Sequence, residues 1–72
     1  MNYNFLYKKL GQRIKKLRKQ QGLSQEEAAE KAGLHRAYFW EIENGRNISI
    51  MTAYKVAKAL DVELSELFKF DK

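Results

Sequence analysis

Every apolar stretch of this chain repeats at helical spacing, and glycines cut the repeats into short pieces. Leu6, Leu10, Ile14 and Leu17 follow at intervals of four, four and three, which traces one face of a helix. The spacing predicts a helix over 4–21, stopped at Gly22 by the left-handed cap that glycine favours. Gly11 lies inside it and costs about 1 kcal/mol against alanine; a close neighbour, or nothing in particular, accounts for it. Ser24-Gln25-Glu26-Glu27 is a capping box that opens a second helix over 25–32. Ala28, Ala29 and Ala32 give that helix a small-residue face before Gly33 turns the chain. A third helix is expected over 36–44, with His35 at its N-cap and Asn44-Gly45 at its end. Ser49 suits the N-cap of a fourth helix over 50–60, with Ile50, Ala53, Val56, Ala57 and Leu60 as its buried stripe. Asp61-Val62-Glu63 breaks it, and 64–68 forms a fifth short helix. No strand-like alternation and no internal repeat occurs, so the expected fold is all-α, a compact five-helix arrangement in a single domain over 1–72.

Seventy-two residues hold one small core, and chains of this size often rely on a disulfide, a metal or a partner subunit. With no cysteine and one histidine, disulfides, thiolate sites and a histidine-based zinc site are excluded, and no metal or other cofactor is expected. A partner subunit is what remains. The longest run of apolar side chains, Ala37-Tyr38-Phe39-Trp40, is far short of the ~20 residues of a membrane span. No secretory leader pattern opens the chain, and the absence of cysteine fits the cytoplasm. The net charge of +5 points to a polyanionic partner. It is unevenly placed. Residues 1–22 carry seven basic side chains (Lys8, Lys9, Arg13, Lys15, Lys16, Arg18, Lys19) and no acidic one, whereas residues 23–47 sum to −2.

An alanine-lined helix, a Gly33 turn and a second short helix with Phe39 and Ile42 inward make a helix-turn-helix. Small residues at the crossing let two steeply inclined helices approach closely. Around this unit lie Ile14-x-x-Leu17-Arg18-x-x-x-Gly22-Leu23-Ser24-Gln25-x-x-Ala28-Ala29, then Gly33-Leu34-x-x-x-Tyr38-Phe39-x-x-Ile42-Glu43-Asn44-Gly45-Arg46, then Ala57-Lys58-Ala59-Leu60-Asp61-Val62. With these signatures Leu10–Phe68 resembles the lambda-repressor-like (Cro-like) helix-turn-helix domains of phage repressors and small bacterial regulators. The Arg46-Asn47-Ile48-Ser49 loop and the chain length are also similar to those of restriction–modification controller proteins.

The resemblance implies a sequence-specific regulator of transcription that binds double-stranded DNA as a homodimer, with the third helix in the major groove and half-sites about 34 Å apart. On a helical projection Arg36, Ala37, Trp40, Glu41 and Asn44 face outward, away from Phe39 and Ile42. Arg36 is the candidate reader of guanine, through its O6 and N7 together, and Ala37 suits a thymine methyl. Trp40 either stacks on sugar or methyl or folds back as cover for the domain. Glu41 can accept from a cytosine amino group and also repels phosphate, which serves to reject wrong sequences. Phosphate contacts are expected from Gln25 at the start of the second helix, from Tyr38 and Asn44, and from Arg46, Asn47 and Ser49. Gln25 read as a polar first-turn residue and Asn47 read as a turn residue are the plainer alternatives. Arg18 and Glu43 are expected to pair internally, in preference to touching DNA.

Once the core stripes are assigned, Met51, Tyr54, Phe68 and Phe70 remain as candidates for a dimer interface, with Phe68 equally suited to closing the monomer core. Two other functions compete. An antitoxin-like interaction module would carry a segment to wrap its partner, and only Phe70-Asp71-Lys72 follows the last helix. A membrane-surface peptide would use the lysine-rich first helix, whose apolar stripe the core already needs. No carboxylate pair, nucleophile–base set or phosphate-cradling glycine loop indicates an enzyme, and no small-molecule ligand is evident. Lys8, Lys15, Lys16 and Lys19 fall opposite the buried stripe of the first helix, so much of the basic charge is expected to attract DNA at long range without touching it. Residues 35–44 themselves sum to −1.

Overall fold

The computed structural model describes residues 2–70; Met1 and the tail residues Asp71 and Lys72, set above against a partner-wrapping segment, lie outside the described residues. Among these residues there are four α-helices, α1 (Phe5–Gln20), α2 (Gln25–Ala32), α3 (Arg36–Glu43) and α4 (Ile50–Ala59), and no strand. The fifth helix expected over 64–68 is instead a 3₁₀ turn, Leu64–Phe68. Five residues form one tight turn with few internal bonds, and α1 holds it from outside. Arg13 donates from Nε to the Glu66 carbonyl (2.8 Å) and from Nη2 to its Oε1 (3.3 Å).

Local chemistry sets the boundaries. The Ser24 hydroxyl accepts from the Glu27 amide (3.0 Å) while Glu27 Oε1 accepts from the Ser24 amide (2.8 Å), which completes the capping box. The Ser24 amide, and after it the Ser24 hydroxyl, hold the Glu27 carboxyl below the usual glutamate range. Gly33 ends α2 at φ +70°, a conformation that a side chain resists. His35 occupies the N-cap of α3 without a side-chain bond, whereas Ser49 caps α4 by accepting from the Thr52 amide.

α2 packs on both α3 and α4, while α1 packs on α3 and the 3₁₀ turn. Phe39, Ile14, Ile42, Leu60, Leu67 and Val56 fill the centre. Ala28, Ala29, Ala53 and Ala57 are buried with them, keeping the crossings short. Gly11 has a definite reason: a Cβ there would sit 2.5 Å from the Ile42 carbonyl oxygen and 2.6 Å from that of Glu43. The end of α3 therefore rests directly on the α1 backbone.

Three expectations about the core need correction. Leu6 and Ile50, assigned to buried stripes, are exposed at 42% and 66%, because each lies in the first turn of its helix, where the chain has not yet reached the core. Leu67, not Phe68, closes the bottom of the core. Phe68 is exposed and stands edge-on to Phe70 with ring centroids 6.4 Å apart, and Phe70 packs half-buried against the core.

Candidate nucleic-acid interface

The core takes one side of α3 and leaves the other open. Phe39, Ile42 and Glu43 point inward. Arg36, Ala37 and Trp40 are exposed, Glu41 is half-buried, and together with Gln25 they line a shallow concavity of about 520 Å³. Four of the expected base readers and the first residue of α2 thus share one surface. Trp40 is 54% exposed, so its ring does not serve as cover for the domain. The Arg36 guanidinium stands 3.8 Å from the Glu26 carboxylate, with both side chains more than 70% exposed. A pair this open holds weakly and leaves Arg36 available.

Several polar residues already have partners. Arg18 donates from Nε to Glu43 Oε2 (2.6 Å), from Nη2 to Glu43 Oε1 (3.2 Å), and from Nη1 to the Leu23 carbonyl (2.8 Å). The internal pair expected for these two residues is present and buried. Gln25 joins it, with Nε2 donating to Glu43 Oε1 at 2.9 Å. Its side-chain amide has one further N–H for an outside acceptor. Asn44 likewise donates from Nδ2 to the Trp40 carbonyl (2.8 Å) and keeps one N–H. Ser49 differs. Its hydroxyl oxygen caps α4 by accepting from the Thr52 amide (3.1 Å), and its single proton is donated to Thr52 Oγ1 (3.2 Å). Asn47 is exposed in the loop.

Glu41, Tyr38 and Arg46, expected as separate contacts, are joined in the structure. The Arg46 guanidinium pairs with Glu41 and lies over the Tyr38 ring, 4.8 Å from its centroid. Glu41 therefore presents a carboxylate already matched to a cation. No spacing rule signals this pair, because residue 46 lies beyond the helix end and reaches back over it. The Gln25–Glu43 bond was equally silent, since it joins two helices across the turn. The expected dimer candidates spread over α4 and the last turn. Met51 and Tyr54 are exposed and share an outer face with Ile50, while Phe70 is half-buried against the core.

The helix-turn-helix family (HTH_3) matches residues 14–67. The control protein C.MunI from a Mycoplasma species is 45% identical over 62 residues, covering 83% of this chain and 84% of that protein. The restriction–modification controller C.AhdI from Aeromonas hydrophila superposes with a TM-score of 0.84 at 48% identity, covering 86% of this chain and 96% of that one. SinR, the master regulator for biofilm formation, solved in complex with DNA, superposes at 0.77 with 44% identity, over 83% of this chain and 98% of that one. The matched segment contains the α2–Gly33–α3 unit, the Arg18–Glu43 pair beneath it and the open face of α3, and the chain belongs to the helix-turn-helix family.

Proposed function

We propose that this protein is a sequence-specific regulator of transcription that binds duplex DNA through the outer face of α3. The carrying observation is the concavity itself. Arg36, Ala37, Trp40 and Glu41 stand together on a helix whose opposite side is buried, with Gln25 at the neighbouring helix start. The relatives, two controller proteins and a regulator crystallised on DNA, support the same partner. Arg36 reads guanine, Ala37 and Trp40 meet methyl or sugar, and Glu41 disfavours mismatched bases. Gln25, Asn44 and Asn47 anchor phosphates, as does Arg46 from its seat on Tyr38. Such a partner places the protein in the compartment that holds the genome, the cytoplasm. Among the described residues no helix is long and apolar enough to cross a membrane.

The protein works as a homodimer in this reading, with the outer face of α4 as the seam. Ile50, Met51 and Tyr54 expose large apolar side chains on one side of that helix, and a symmetric pair matches a palindromic site. Selection from a random duplex library tests both parts. The expected result is an enriched, two-fold symmetric sequence with half-sites one helical turn apart. An unenriched pool contradicts DNA reading; an enriched single half-site contradicts the dimer.

A further inference from the structure

The basic side chains of α1 divide into two sets. Arg13 pairs with Glu66 and Arg18 with Glu43, and Lys9 and Lys16 also have partners. Lys8, Lys15 and Lys19 have none among the described residues. Lys8 and Lys15 sit seven residues apart, two helical turns or about 10 Å, on the same face of α1. That face borders the reader helix. Lys8, Gln12, Lys15, Glu43 and Asn44 line one groove of about 320 Å³ between α1 and the end of α3. Lys8 is seated there, because its stem lies across Gly45, where a Cβ would come within 2.8 Å of the Lys8 Cγ. The acid in the groove floor does not oppose an anion. Glu43's side chain is 1% exposed, and its carboxylate is matched by Arg18 and Gln25.

We propose that this groove is a further phosphate site, in which Lys8 and Lys15 hold the backbone of the DNA strand that passes the C-terminal end of α3. The inference rests on the reading that the outer face of α3 meets the duplex, and it adds a contact beyond the turns that flank that helix. It also supplies what the reader segment lacks. Residues 35–44 sum to −1, so that segment brings no net positive charge of its own to the strand. Lys8 and Lys15 bring two uncompensated charges to the same edge. They neutralise phosphates directly, so they contribute equally on any sequence.

The test is the salt dependence of binding for the full chain, on a duplex selected by the wild type and on a random duplex. Each phosphate contact contributes about 0.9 to the slope of log K against log salt. Lys8→Ala with Lys15→Ala is expected to lower that slope by about 1.8 per bound protomer, about 3.6 for the dimer, on both duplexes and to leave their affinity ratio unchanged. Lys8→Arg with Lys15→Arg is expected to keep the slope. The control is Lys31→Ala, which removes a charge from a surface lined by Gln21, Leu23, Lys58, Ala59 and Asp61, away from α3; its slope should match the wild type. Equal loss in the control and the double variant reduces the effect to long-range attraction and overturns the proposal. So does an unchanged slope in the double variant. Absence of salt-dependent binding by the wild type instead removes the DNA reading on which the proposal stands.

Discussion

Glu43 accepts three hydrogen bonds on two oxygens in a site closed to water, two from Arg18 and one from Gln25. Such a carboxylate ties α1, α2 and α3 to one point, directly behind the reader face. Its removal leaves the Arg18 guanidinium buried without a counter-charge, a situation that costs ~3–5 kcal/mol. Glu43→Ala is therefore expected to unfold a large part of the population at 37 °C, and a thermal melt reads it directly. Gln25→Ala, which removes one uncharged donor, should cost about 1 kcal/mol. The Arg18–Glu43 pair is legible in the sequence, through the family pattern and the position of Arg18 beside the apolar stripe of α1. The third member was not, because no periodicity within a helix reports what happens across a turn. The same reason hid the pairing of Glu41 with Arg46. Side chains that reach across element boundaries answer to tertiary geometry, and sequence spacing carries almost none of it.

Helix ends were easier to read than helix faces. The Ser24 box, the Gly33 turn and the Ser49 cap lie where local residue chemistry places them. The apolar stripes overran, however: Leu6 and Ile50 fit the period of their helices, but their first turns project past the core. The last element is a 3₁₀ turn where a helix is expected, because five residues are too few for a regular ladder and Arg13 takes the Glu66 carbonyl from outside. Two predictions belong here. Gly11→Ala is expected to destabilise strongly, since the added methyl meets carbonyl oxygens 2.5 and 2.6 Å away and these belong to helix backbone that cannot retreat alone. An unchanged melting point would show that α3 is not seated on α1. The Glu27 carboxyl, lowered first by the Ser24 amide and then by the Ser24 hydroxyl, favours the folded state above its unfolded pKa. That contribution disappears as pH falls through the lower, folded value. The stability gap between the wild type and Glu27→Ala should thus narrow when denaturation is repeated at about pH 3.

At the scale of the whole molecule, the basic balance of the chain named the kind of partner but mapped the site poorly. The seven cations of the first 22 residues split between internal pairs, the edge beside α3 and open solvent. What sets the outer face of α3 apart is the division of that helix into a buried side and an open side, fixed by the inward Phe39 and Ile42. Arg36 lies on that outer side, has only an open surface pair, and carries no part of the core. The decisive measurement is the affinity of the wild type and of Arg36→Ala for the selected duplex and for a scrambled duplex of the same composition. The wild type should prefer the selected sequence, and Arg36→Ala should lose discrimination worth about 1–3 kcal/mol at an unchanged melting point. Equal affinity of the wild type for both duplexes, or a preference that survives Arg36→Ala intact, contradicts the assignment of α3 as the reader.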